Sequence, residues 1–186
     1  MLDKLLKNLK NNVLRSDYFS LRQQLLLAKK HPKVLEKTLN KVEKAQRYFE
    51  SRKQTKPNIK FAEELPVAQH AETIIKAIVE NQIVVIAGET GSGKTTQIPK
   101  MALMAGLGET GMIACTQPRR IAARSMAERV SEELNVTMGE QVGYQVRFDD
   151  SFSEKGWVKF MTDGILLAET QNDKFLNAYD LSLIHI

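Results

Sequence analysis

The chain has 186 residues, 42% hydrophobic and 26% charged, enough for one packed domain and a smaller appendage. No apolar run approaches the ~20 residues that span a bilayer, the lysine-interleaved start MLDKLLKNLK is no secretory signal, and the lone Cys115 excludes an intrachain disulfide or cysteine zinc site, so a reduced, cytoplasmic setting is expected. The net charge of +5 is uneven: residues 1–60 hold 16 Lys and Arg against 5 Asp and Glu, and the remainder 11 against 17, so the excess is either a polyanion-facing arm or a lysine-rich solvated helical face.

Leu2, Leu5, Leu6, Leu9 and Val13 recur at helical spacing with Lys4, Lys7 and Lys10 between them, which predicts an amphipathic helix. A second helix is expected over Tyr18 to Lys30, interrupted at His31-Pro32 because proline cannot continue the hydrogen-bond ladder. A third is expected from Lys33 to Ser51, striped by Val34, Leu35, Leu39 and Val42. Residues 1–51 therefore read as a basic helical segment, 52–64 as a basic linker without periodicity, and 65–186 as the start of an α/β domain. There is no internal repeat.

Beyond Leu65-Pro66 a helix is expected from Ala68 to Glu80. Ile83 to Ala87 is a short all-apolar run, the pattern of a strand buried on both faces of a parallel sheet. A glycine-rich turn leads to a helix beginning near Lys94 and a loop from Gly106 to Gly111. Met112 to Thr116 predicts a strand and Ile121 to Asn135 a helix. Val142 to Phe148 and Trp157 to Met161 are strand candidates, and Ile165 to Thr170 a short helix. The alternation predicts a parallel sheet flanked by helices.

Gly88-Glu89-Thr90-Gly91-Ser92-Gly93-Lys94-Thr95 satisfies every fixed position of the P-loop pattern. Glycines let the backbone adopt positive φ and turn successive N–H groups toward phosphates, and the following helix adds its positive N-terminus. Lys94 is expected to reach the β- and γ-phosphates of ATP or another nucleoside triphosphate, and the Thr95 hydroxyl to ligate Mg2+. A second constellation, Thr116-Gln117-Pro118-Arg119-Arg120, sits between strand and helix at the same sheet edge. Two arginines there oppose the helix macrodipole, a conflict that a nucleic-acid phosphate relieves; a solvated arginine pair is the plainer reading. A third, Thr162-Asp163-Gly164, reads by itself as a helix cap, with Thr at the N-cap and Asp in the first turn.

Taken together, GETGSGKTTQIPK, CTQPRRIAARSMAERV, VGYQVRF and KFMTDGILL resemble, in order and spacing, the motifs of DEAH-box helicases from about Leu65 to Asp180. The phrasing is similar to that of bacterial HrpA-type RNA helicases, with a looser match over the first sixty residues. The resemblance implies a RecA-like P-loop domain that works as part of an ATP-dependent, 3′-to-5′ RNA translocase. It further implies that Gly88 to Thr96, including Glu89, Thr90, Gly91, Ser92, Gly93, Lys94, Thr95 and Thr96, cradle the phosphates. Arg129 is implied to stack on the base. Arg119, Arg120, Thr162 and Gly164 are implied to hold the backbone of single-stranded or structured RNA, with DNA left open.

The sequence departs from that pattern after Asp180, where the family continues into Asp-Glu-Ala-His. The RecA-like domain is therefore expected to be incomplete, and the chain to bind nucleotide without competent hydrolysis. Leu181 to Ile186 can be back-translated to a transposon end used in sequencing libraries and are read as non-native, with a genuine strand of unusual sequence as the alternative; His185 is accordingly not read as a catalytic residue. A non-enzymatic nucleotide- and RNA-binding module is the alternative, and a GTPase or kinase is a third reading that the TQPRR and TDG blocks oppose. Cys115, Trp157 and Phe160 are expected to pack in the core, and His31 and His70 lack partners at metal-ligand spacing.

Overall fold

A computed structural model describes residues 2–29 and 32–185. The first helix, α1, spans Leu2–Leu9, α2 spans Arg15–Ala28 and α3 spans Pro32–Lys53. Leu9, Val13, Leu21, Leu25 and Val42 are buried together, with Leu2, Leu5 and Leu6 against them. The stripe read from the sequence is thus the buried one, although α1 ends at Leu9 and Val13 enters this core from the following turn. The interruption expected at His31 lies outside the described residues. Pro32 opens α3, where its missing N–H leaves no intrahelical bond unmade.

The α/β part carries α4 (Ala71–Glu80), α5 (Lys94–Met104), α6 (Arg120–Leu134) and α7 (Asp163–Asn172), with a 3-10 turn over Pro66–His70 that takes the first three residues of the helix expected from Ala68. Its strands are β1 (Met112–Gln117), β2 (Val142–Val146), β3 (Asp149–Ser151), β4 (Val158–Thr162) and β5 (Tyr179–Leu183), in the order β3-β2-β4-β1-β5. All neighbours are parallel except the β2–β3 hairpin. Ile113, Cys115, Val158 and Phe160 face α5 and α6, whose Leu103, Ala123, Ala127 and Val130 complete one core. Ala114, Met161 and Tyr179 meet Ile165 and Leu166 of α7 on the opposite face. Burial on both faces explains why these strands read as continuous apolar runs.

Ile83 to Ala87 does not form the expected strand. The run has no ladder partner, and Ile83 and Val85 are each 83% exposed. Only Ile86 packs, against the cluster of Val67, Ile74 and Met101. An apolar sequence becomes a strand only where another strand lies 4.7–4.9 Å away. Here a cavity of about 370 Å3, lined by Val84 to Ile86 on one side and Ser182 to Ile184 on the other, separates the run from β5. Residues 181–183, read as foreign to the domain, pair in register with Ile113, Ala114 and Cys115.

The second correction concerns the expected linker. Helix α3 continues to Lys53, and Arg52 is 1% exposed. Its guanidinium donates to the carbonyls of Glu109 (2.7 Å), Gly111 (2.9 Å) and Gly156 (2.7 Å) and lies 4.5 Å from the centre of the Trp157 ring. Those carbonyls precede β1 and β4. Nearby, the Arg15 N–H donates to Thr110 O at 2.8 Å, and the Arg15 guanidinium pairs with Asp180 at 3.3 Å. Asp180 in turn accepts from the Gly108 and Thr110 amides and the Thr110 hydroxyl. The helical segment is therefore fastened to the amino edge of the sheet by cationic hydrogen bonds as well as packing. No described helix is long and apolar enough to cross a membrane.

Arg52→Ala leaves three carbonyls without their donor and uncovers Trp157. The expected cost is about 3 kcal/mol, which for a chain of this size lowers the thermal midpoint by roughly 6–12 °C. A circular-dichroism melt reads this directly, and an unchanged midpoint would show that the guanidinium does not hold the segment in place.

Candidate nucleotide and nucleic-acid site

The glycine-rich loop enters α5 through two left-handed residues, Gly91 at φ 85° and Gly93 at φ 90°. Any other L-residue is strained at these angles, and at Gly93 a Cβ would also lie 2.7 Å from Leu65 Cδ1. Lys94, the first residue of α5, turns back over the loop. Its ammonium donates to the carbonyls of Gly88 and Glu89, both at 2.6 Å, and to the Ser92 hydroxyl at 3.3 Å. The loop thus holds a cation at its centre and the N-terminus of an 11-residue helix at its rim, both of which favour an anion.

Lys94 also borders two cavities. One, of about 640 Å3, is walled by Gly88 to Ser92 together with Pro66, His70 and Thr73. The other is the slot beside β5, to which Thr95, Thr116 and Gln117 contribute. Gly88 to Gly93 thus form the loop, and Lys94 to Thr96 the first residues of α5. Thr96 is bound internally, its hydroxyl donating to Gly93 O at 3.3 Å and accepting from Gln97. Among the described residues no group of three or more His, Cys, Asp or Glu side chains converges as a metal site. Thr95, the residue expected to ligate Mg2+, lines the slot beside β5 next to Lys94, and a hydroxyl there fits an ion whose other ligands are phosphate oxygens and water.

The parallel register brings the other predicted residues to one edge. Gln117 at the end of β1 pairs with Thr162 at the end of β4. Arg119 and Arg120 follow two residues later and are exposed at the start of α6. Thr162 occupies the N-cap position of α7 and Asp163 its first turn, as the capping reading expects, although the Thr162 side chain makes no capping hydrogen bond. Gly164 is exposed, with open space where a Cβ would stand.

Arg129 is not brought to this edge or to either cavity beside Lys94. It projects from α6, 58% exposed, with its Nε donating to Glu133 Oε1 at 2.7 Å.

Two features escaped the sequence reading. Phe148, expected to end a strand, lies beyond β2 in the hairpin turn at φ 70°, 89% exposed, with the Arg147 guanidinium 4.9 Å from its ring. An aromatic side chain in that backbone region is a strained outlier, and here it sits at the same carboxyl edge. The other is the group Gln97, Lys100 and Glu133. Lys100 is 1% exposed and ion-paired with Glu133, which also accepts from Gln97 at 2.8 Å. Burial alone raises the Glu133 pKa, but the hydrogen bonds from Lys100, Gln97 and Arg129 outweigh it and hold the carboxyl below its usual range. The sequence signal for this group was faint: a lysine on the inner side of a helix otherwise buried there.

Residues 71–183 match the family model described as AAA domain. The chain is 56% identical over 144 residues to the ATP-dependent RNA helicase HrpA homolog of Haemophilus influenzae, covering 77% of this chain and 11% of that protein. It is 50% identical over 133 residues to ATP-dependent RNA helicase HrpA of Escherichia coli (72% and 10%), and 45% identical over 119 residues to the probable ATP-dependent RNA helicase DHX40 of Rattus norvegicus (64% and 15%). The chain thus spans between a tenth and a seventh of the length of these relatives. With its P-loop at the head of α5 and its remaining motifs along the carboxyl edge of a parallel sheet, the chain belongs to the AAA domain family and, within it, to the HrpA-type DEAH-box helicases.

Proposed function

We propose that this chain is the nucleotide-binding and RNA-gripping part of an ATP-dependent RNA helicase. The observation that carries this reading is the shared sheet edge: the register that pairs Gln117 with Thr162 sets Arg119, Arg120, Thr162 and Gly164 beside one another, and Thr116 and Gln117 line the cavity that Lys94 and Thr95 border. In this account the amides of Gly88 to Thr96 receive the triphosphate. Lys94 exchanges the carbonyls of Gly88 and Glu89 for β- and γ-phosphate oxygens, and Thr95 ligates the accompanying Mg2+. The bound ion supplies charge neutralisation at the phosphates. The residues of the chain bind and orient the nucleotide.

Arg119 and Arg120 grip RNA phosphates ahead of the α6 N-terminus, while Thr162 and the open backbone at Gly164 take adjacent phosphates. Such contacts carry no base code, which suits a motor that must advance over any sequence. Phe148, held out by its left-handed backbone, offers a ring on which a base can stack along the same track. The relatives' printed names, which specify RNA as the substrate of those proteins, support this choice of polymer.

Lys94→Ala removes the one cation of the loop, and affinity for a fluorescent ATP analogue should fall at least about tenfold, a loss typical of a charged hydrogen bond. Equal affinity in the variant would exclude the P-loop as the binding site. For RNA, the slope of log affinity against log salt should fall by about 0.7 for each single-strand phosphate contact removed. Arg119→Ala with Arg120→Ala should therefore lower it by roughly 1.4; an unaltered slope would mean that both arginines are simply solvated.

A further inference from the structure

Where the helical segment meets the amino edge of the sheet, the joint is not fully closed. A cavity of about 560 Å3 lies between α2 and α3 on one side and the turns that precede β1, β4 and β5 on the other. Ser16, Asp17, Lys44, Tyr48, Arg52 and Glu154 are among the residues that line it. That volume is in the range of sites that enclose small metabolites.

The groups facing this cavity are left without partners. Arg52 is 1% exposed, and although its Nη groups hold three carbonyls, its Nε is buried with no acceptor. Asp17 and Glu154 take part in no ion pair among the described residues. Burial, and after it the charge of Glu154, pushes the half-buried Asp17 carboxyl above its usual range, with no cation near enough to reverse the shift. The Tyr48 phenol is pushed up by burial first and then by Glu154, while Arg52 works against them. Tyr48 therefore stands within reach of both the carboxylates and the guanidinium.

A buried guanidinium N–H without an acceptor has lost its hydration and gained nothing for it. Two carboxylates at one cavity without a counter-charge repel each other. Water fills polar cavities and accepts from an N–H, but it brings no positive charge to the carboxylates. An ammonium does, and an anionic oxygen is the strongest acceptor for Arg52 Nε. The formal charges of the lining cancel, Asp17 and Glu154 against Lys44 and Arg52, so the complementary ligand is neutral as a whole and carries both charges.

We infer that this cleft binds a small zwitterion of the amino-acid class, with its ammonium at Asp17 and Glu154 and its carboxylate at Arg52 Nε. Such a ligand touches α2, α3 and the turns ahead of the strands at once, and so ties the helical segment to the sheet. The site lies on the edge opposite to the phosphate loop and is independent of the nucleotide and RNA readings.

The test is a thermal-shift measurement on the whole chain with each common L-amino acid at millimolar concentration. A ligand at about ten times its dissociation constant should raise the midpoint by roughly 3–6 °C. The best of them is then compared by calorimetry with its own α-amide, which lacks the carboxylate, and with its deamino acid, which lacks the ammonium. Each analogue should bind at least about tenfold more weakly, the scale of one lost charged hydrogen bond. Arg52 is left in place because its loss loosens the joint itself. Asp17→Asn removes an uncompensated charge and keeps the fold; it should weaken the amino acid by about tenfold and leave the deamino acid unchanged.

No rise in midpoint with any amino acid would overturn the inference, since the cleft would then hold water only. Equal binding of the amide or of the deamino acid would overturn the zwitterion, and undiminished binding in Asp17→Asn would show that the ligand sits elsewhere.

Discussion

Parallel pairing of β1, β2 and β4 is the constraint from which the arrangement of this domain follows. It sends the carboxyl ends of the three strands to one edge, and every segment leaving that edge must turn into a helix or hairpin before returning across a sheet face. The turn after β1 presents Arg119 and Arg120, the turn after β4 presents Thr162 and Gly164, and the turn after β2 presents Phe148. None of these segments is near another in sequence. Their juxtaposition is a property of strand register, and a slip of one residue in the β1–β4 pairing would invert the two cores that α6 and α7 cover.

The opposite edge does different work. There Arg52 reaches the carbonyls that precede β1 and β4, and Arg15 meets Asp180 at the start of β5. These are basic residues of the positively charged first third, yet their charge is spent on backbone carbonyls and a carboxylate within the protein. Lys53 and Lys56 lie over the rings of Phe49 and Trp157. The excess of positive charge in residues 1–60 is thus divided between groups that fasten the helical segment to the sheet and lysines that remain in solvent. Removing the whole segment would also remove Arg52 from beneath Trp157, so its deletion would not isolate a contribution to RNA binding.

What the sequence revealed depended on how local each signal is. Eight consecutive residues define the P-loop, so its turn at the head of α5 was legible without any tertiary information. The leucine stripe of α1 and the apolar runs of β1 and β4 were legible because burial imposes a period or its absence. The run Ile83 to Ala87 misled for the same reason: apolarity reports that a segment is suited to burial, whereas forming a strand requires a neighbour, and β5 stands off across a cavity. Arg52 was hidden because a single buried cation at the end of an amphipathic helix looks like the first residue of a basic linker. Phe148 continued the alternation of β2 and gave no sign that its backbone turns left-handed. Glu133 and Lys100 are 33 residues apart, and their union depends on how α5 and α6 pack, which no local pattern records.

The central claim is that nucleotide and RNA occupy two distinct, adjoining sets of residues on one sheet edge. At 21.0 kDa the chain suits amide chemical-shift mapping, with Mg-ATP and a short oligouridylate titrated separately. The account predicts that ATP perturbs Gly88 to Thr96 and the cavity residues beside Lys94, while RNA perturbs Arg119, Arg120, Phe148 and Thr162 to Gly164 and leaves α1 to α3 largely unmoved. Perturbations from RNA confined to the helical segment, or from ATP that spare the glycine-rich loop, would contradict it.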